Sequence, residues 1–216
     1  MTRYLNYRRS LFAAPPPQNL LIQLSMVNRP QANSTETHNL EWLNSLSGDE
    51  ATKELLQCCG SRRWASQMAD ARPFSDPDEL RERARDIWWS LDSHDWLDAF
   101  RSHPKIGEKA SHEKKNQLHS EAPRKWSEEE QAGVRSAKEE TMNYLAELNP
   151  KYEAKFGYIF IVCATGKSSE EMLTILRERL ENDETKELPI AAAEQAKITD
   201  LRLKKLLAMN DQRLPG

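Results

Sequence analysis

From about Thr37 onward, apolar residues recur at three- and four-residue intervals, and hydroxyl or acidic residues stand where each apolar stripe begins. Ser47 and Glu50 have capping-box spacing and Gly60 follows the apolar stretch, which predicts a helix over 49–59. Ser61 opens a second helix through Trp64 and Met68 that must finish before Pro73. The Ser75-Asp76-Pro77 sequence supplies a cap and a first-turn proline for a third, running to about Ser90 with Ile87, Trp88 and Leu91 for the core. A short helix from Ser93 carries Trp96, Leu97 and Phe100 up to a turn at His103.

Further along, Ser127 and Glu130 repeat the box at the head of a long helix expected to end at Asn149-Pro150, with Val134, Ala137, Met142, Leu145 and Leu148 as its buried stripe. Ser168 and Glu171 repeat it again before Met172, Leu173, Ile175, Leu176 and Leu180, and a last helix is expected from about Glu187 to Ala208. Only the run from Tyr158 to Ala164 reads as a strand, being short, aromatic and β-branched. One extended segment cannot build a sheet without a partner strand, so the expected class is all-α, a single multi-helix domain. The backbone of that run must then find partners other than a neighbouring strand.

Composition narrows the setting. The 216 residues carry a net charge of -3 with acids and bases interleaved, so no basic stripe points to nucleic acid and no polybasic arm to a membrane. The longest apolar run is far too short to span a bilayer, and Leu214-Pro215-Gly216 carries no peroxisomal or retention signal, which gives a soluble cytoplasmic protein as the expectation. Three cysteines, two of them adjacent at Cys58 and Cys59, do not form a disulfide framework or a metal-binding spacing, and His112 and His119 lack acidic or cysteine partners; no metal is expected. Residues 1–36 hold four arginines, the run Pro15-Pro16-Pro17 and no acid before Glu36. They read as a disordered N-terminal extension, weakly like a transit peptide or a stretch preceding a start at Met26, attached to a helical domain over 37–212.

Four segments carry candidate chemistry. In His103-Pro104-Lys105-Ile106-Gly107 the proline forces His103 out of the preceding helix, which suits either a solvated helix-ending turn or an imidazole held to move protons. Ser127-Glu128-Glu129-Glu130-Gln131 gathers a hydroxyl, carboxylates and an amide at a helix start, where capping alone accounts for Ser127 and Glu130 unless Glu130 faces a cleft. Arg202 lies within an apolar periodic helix and needs a partner, either Asp200 or another carboxylate, or an anionic substrate; Arg179 sits in a charged, surface-like run. Gly166-Lys167-Ser168 matches the end of a phosphate loop, but Ile161 stands where that loop needs glycine, so helix capping by Ser168 is favoured over nucleotide binding.

Together, the His103 turn, Ser127 to Gln131 with Gly133, the run from Phe156 to Ala164, and Leu201-Arg202-Leu203 resemble the 2-oxo-4-hydroxy-4-carboxy-5-ureidoimidazoline (OHCU) decarboxylases over about residues 40 to 208. The resemblance implies an all-helical homodimer that decarboxylates OHCU to (S)-allantoin in urate breakdown, without metal or cofactor. It implies that His103 is the proton donor, with Glu130 and Arg202 beside it as catalytic residues. Pro104, Ser127, Glu128, Glu129, Glu130, Gln131, Phe160, Ile161, Val162, Cys163 and Ala164 are its implied substrate contacts. On ordinary side-chain chemistry His103, with a pKa near ~6.5, can carry a proton at working pH, and the planar fork of Arg202 can hold an anionic or carbonyl group. The N-terminal extension has no counterpart in that pattern. Two rival readings are a non-catalytic helical interaction module and an oxidase or hydrolase of another ureido compound.

Overall fold

The capping residues settle where most of the helices begin. In a computed structural model that describes residues 34–105 and 139–209, eight helices and no strand are present among the described residues: α1 Ser34–Ser45, α2 Gly48–Cys58, α3 Arg62–Asp70, α4 Pro77–Ser90, α5 Ser93–Arg101, α6 Glu139–Phe156, α7 Ser169–Leu180 and α8 Glu184–Ala208. Ser47 with Glu50 and Ser168 with Glu171 form full capping boxes, Ser61 accepts from the Trp64 amide, and Asp76 caps α4 ahead of Pro77. Asp92 caps α5 through the amides of His94 and Asp95.

Three boundaries differ from the sequence expectation. The first helix begins at Ser34 rather than about Thr37. The expected stop at Asn149-Pro150 is not a stop, because α6 runs through Pro150 to Phe156. A proline inside a helix costs about 3 kcal/mol or more. Burying Tyr152 and Phe156 beyond it returns roughly 1.5–3 kcal/mol each, which is enough to carry the helix onward. The last helix starts a turn earlier than Glu187, at Glu184, with Asp183 accepting from the Lys186 amide and Pro189 inside the helix. Here Glu187 is buried and bonded, so the turn that carries it is ordered by tertiary contacts.

Helix α8 is the axis of the fold. Its 25 residues span about 37 Å at 1.5 Å per residue, and it packs against α1, α2, α4 and α5. Trp88 on α4 donates its indole N–H to the Ala192 carbonyl at 3.0 Å, and Asn39 on α1 closes the C-terminal end by donating to the carbonyls of Leu207 and Met209. Helices α6 and α7 pack on each other around a second apolar cluster.

The extended run joins the two clusters. Ile161 and Cys163 point into the main core, whereas Phe160, Val162 and Ala164 point into the α6–α7 cluster. Side chains of an extended chain alternate faces, so a segment covered on both sides reads as continuously apolar. That is why it resembles a strand in sequence while lying among helices.

Candidate active site

His103 is placed by the way α5 ends. The amides of Ser102 and His103 bond back to the carbonyls of Ala99 and Phe100, both at 3.1 Å, and Pro104 then prevents the helix from resuming. The turn between α2 and α3 approaches from behind: a Cβ on Gly60 would lie 2.4 Å from both Cβ and Oγ of Ser102. Lys105 ties the far side of the turn to α6 through Glu153 at 2.7 Å.

From that turn the imidazole reaches α8. Its Nε2 lies 2.7 Å from Oε1 of Gln195, and its Nδ1 lies 3.5 Å from a terminal nitrogen of Arg202. Gln195, Thr199 and Arg202 stand at i, i+4 and i+7 on one face of α8, and all three are buried, Gln195 at 0% exposure and Arg202 at 2%. Asp200 faces elsewhere, taking Arg81 at 2.6 Å and Lys204 at 3.1 Å. It is therefore not the group that accounts for Arg202.

This environment decides the charge of His103. Burial, with the Arg202 guanidinium close by, pushes the imidazole down to about 3, against a smaller upward pull from the bond to Gln195. The expectation of an imidazole that carries a proton at working pH is thus corrected: the resting ring is neutral. Cys59, buried beside the same face of α8, is pushed up to about 11 chiefly by burial, which keeps it a thiol.

Arg179 also departs from its surface-like sequence context. It is 5% exposed, donates from Nε to Glu187 at 2.6 Å, and reaches the hydroxyl of Tyr152 at 3.1 Å. Glu187 is 0% exposed and also accepts from Tyr152 and from Asn182. A buried charge pair is tolerable only when its remaining hydrogen-bonding capacity is filled in this way. The second arm of Arg179 donates to the carbonyl of Ile161 at 2.7 Å, and the guanidinium lies 4.8 Å from the Phe160 ring centre.

The 160–164 backbone thus obtains partners from side chains. Besides Arg179 on Ile161, the Cys163 amide donates to Glu194 at 2.8 Å and the Cys163 carbonyl accepts from Lys167 at 2.7 Å. Burial pushes the Glu194 carboxyl up, but bonds from Lys197 and the Cys163 amide outweigh it and hold the group below its ordinary value. Lys167, the lysine of the phosphate-loop look-alike, is engaged here, and Ser168 caps α7.

Of the residues singled out in the sequence, His103 and Arg202 are brought together across 99 positions. Pro104 follows directly in the turn, and Phe160 to Ala164 are buried between the two clusters. Ser127, Glu128, Glu129, Glu130 and Gln131, with Ile106, Gly107, His112 and His119, lie outside the described residues. A cavity of about 400 Å³ between α4 and α8 is lined by Arg81, Trp89, Lys197 and Asp200 among others, and neither His103 nor Arg202 borders it. Sequence reasoning missed Gln195, Thr199, Glu194 and the Arg179–Glu187 pair. The available signal was the recurrence of polar residues at helical spacing along the apolar stripe of the last helix.

These features define an all-α protein in which a neutral imidazole faces a buried guanidinium, and in which an extended run is held by side-chain bonds between two apolar clusters. The OHCU decarboxylase family model matches residues 44–204, and the chain belongs to that family. It is 41% identical over 152 residues to the uric acid degradation bifunctional protein TTL of Arabidopsis thaliana, covering 70% of this chain and 45% of that protein. It is 33% identical over 143 residues to the 2-oxo-4-hydroxy-4-carboxy-5-ureidoimidazoline decarboxylase of Xenopus laevis, covering 65% of this chain and 74% of that one. The chain therefore spans less than half of the Arabidopsis relative's length and about three quarters of the Xenopus relative's. A crystal structure of an OHCU decarboxylase in the presence of (S)-allantoin superposes with a TM-score of 0.61 at 40% identity, covering 73% of this chain and 99% of the other.

Proposed function

We propose that this chain catalyses the decarboxylation of OHCU to (S)-allantoin and carbon dioxide in urate breakdown. The observation that carries the reading is the meeting of His103 and Arg202, which joins a proton-handling group to an anion-holding one within a chain of this family.

The reaction divides into steps these side chains suit. When the carboxylate leaves as carbon dioxide, its bonding pair stays on the ring carbon and flows into the adjacent carbon–nitrogen double bond, whose nitrogen takes up a proton from the medium. The resulting enol becomes allantoin when its hydroxyl loses a proton and the neighbouring carbon gains one on a single face. The electron sink lies within the substrate, so the step requires no external one. Arg202 fixes the anionic end through its planar fork, and its burial strengthens that grip relative to water. His103 handles the proton that moves from oxygen to carbon, and delivery from one side sets the hand of the product. Pro104 walls the pocket, the 160–164 run contributes backbone contacts, and Ser127, Glu128, Glu129, Glu130 and Gln131 hold the ring and ureido nitrogens, with Glu130 as the third catalytic group.

A homodimer working in the cytosol without a cofactor completes the reading. Among the described residues no helix is long and apolar enough to cross a membrane, and the three buried cysteines form no disulfide.

The test is to supply freshly generated OHCU and follow the circular dichroism of allantoin as it forms. Wild-type protein accelerates formation of one enantiomer, and His103→Asn abolishes that acceleration while keeping the helical spectrum. Undiminished stereoselective turnover by His103→Asn refutes the role given to the imidazole.

A further inference from the structure

The two ring nitrogens of His103 face different partners, and those partners are not equivalent. Arg202 approaches Nδ1, and a guanidinium has donors only. A proton on Nδ1 would point at a donor, so Nδ1 carries the lone pair. A neutral ring must then bear its proton on Nε2, which sits 2.7 Å from Gln195 Oε1, a carbonyl oxygen able to accept it. The amide of Gln195 is itself oriented, because its nitrogen donates to the Thr199 hydroxyl at 3.2 Å, and it is held in a wholly buried position on α8.

From these contacts we infer that Gln195 is a positioning residue that holds His103 in its Nε2–H tautomer, which makes Nδ1 the nitrogen that exchanges a proton with the substrate. The inference rests on the decarboxylase reading and deepens it. In the enol left after loss of carbon dioxide, the hydroxyl O–H bond breaks and an Nδ1–H bond forms; that bond then breaks as the C–H bond of allantoin forms. His103 is thus an acceptor first and a donor second, and it ends the cycle in the tautomer in which it began. Thr199 acts one step further back: by accepting from the Gln195 nitrogen it leaves the amide oxygen turned toward the imidazole. The order runs along one face of one helix, so the tautomer is set by α8 before any ligand arrives.

The tautomer is measurable without turnover. Protein labelled with nitrogen-15 in its five histidine rings gives long-range proton–nitrogen correlation spectra in which each tautomer has its own pattern, and the spectrum of His103→Asn identifies the signals of His103. Wild-type protein at neutral pH is expected to show a protonated Nε2 and a bare Nδ1. A protonated Nδ1, with Nε2 bare or not, overturns the proposal. Gln195→Met removes the acceptor at nearly constant volume and should mix the tautomers. It should also lower kcat roughly tenfold or more while leaving KM within about twofold, since a misassigned tautomer harms the proton-transfer step rather than binding. Should methionine prevent folding, Gln195→Asn keeps the amide but is too short for the contact, and carries the same expectation. A folded variant with the wild-type tautomer or with unchanged kcat overturns the role of Gln195. If wild-type protein turns over no OHCU, the decarboxylase reading fails while the tautomer determination still stands, so the two failures are distinct.

Discussion

Arg179 donates to the carbonyl of Ile161 at 2.7 Å while its other nitrogens hold the buried carboxylate of Glu187. One guanidinium on α7 thereby ties a backbone segment without a partner strand to the first turn of α8. Removing it leaves a carboxylate with no countercharge in a site of 0% exposure.

Arg179→Met is therefore expected to destabilise the fold by about 3–5 kcal/mol, the usual cost of breaking a buried pair from one side. The double variant Arg179→Met with Glu187→Leu should recover much of that loss, because no unpaired charge remains. Urea denaturation of the three proteins checks both statements. A single variant within about 1 kcal/mol of wild type would contradict the burial of the pair.

Gly60→Ala should act at the other end of the site. Its new methyl group would fall 2.4 Å from Ser102 Cβ, an atom too close to the backbone to swing aside, so the α2–α3 turn and the end of α5 must separate. Overpacking of this kind costs typically about 1–3 kcal/mol. Because His103 follows Ser102 directly, turnover should fall along with thermal stability, and Ser102→Gly in the same chain should restore part of both. Additive losses in the double variant would show that the clash is not the cause.

Acid stability follows from the neutral imidazole. In the fold His103 is pushed down to about 3, below the ordinary value of 6.5. Between those values the unfolded chain binds a proton that the native chain refuses, so the contribution is fully present above pH 6.5 and declines as the pH falls toward 3. At pH 5 the loss from this one group is on the order of 1–2 kcal/mol. The drop in unfolding free energy between pH 7 and pH 5 should accordingly be smaller in His103→Asn than in wild type; equal drops would show that the ring titrates freely.

Arg202→Lys keeps the charge and loses the fork. A charged hydrogen bond is worth about 1.5–3 kcal/mol, so kcat/KM for OHCU is expected to fall roughly 10- to 100-fold. Steady-state kinetics with freshly prepared substrate measure it, and unchanged kinetics would place Arg202 in a purely structural role.

Local signals were sufficient for much of this. Caps at Ser47, Ser61, Asp76 and Ser168 are short-range chemistry, written in three or four adjacent residues, and the helices they open begin where expected. The class was legible too, because one extended run without a partner cannot make a sheet. Local rules failed at Pro150, where a strong helix breaker was outweighed by the burial of Tyr152 and Phe156 against distant elements, and they set the start of the last helix a turn late, at Glu187 rather than Glu184.

The candidate site divides in the same way. His103 stood out because a proline follows it, and Arg202 because leucines surround it; both are properties of neighbours in the chain. Their charge states and partners were not available there. A pattern of residue types says that a charged or titratable group exists, whereas its pKa, tautomer and counter-ion depend on what lies within a few ångströms. For His103 those are Gln195 and Arg202, brought in by α8 from 92 and 99 positions away. The same holds for Arg179, whose sequence context is a charged run and whose place in the fold is the buried junction of α6, α7 and α8. The sequence alone determined the helices and marked the chemistry-bearing residues, because those depend on short-range geometry. Only the tertiary structure decided that His103 is neutral, which partner each of its nitrogens faces, and that Arg179 holds the extended run while Arg202 faces the imidazole, because burial and through-space distance are properties of the packed chain.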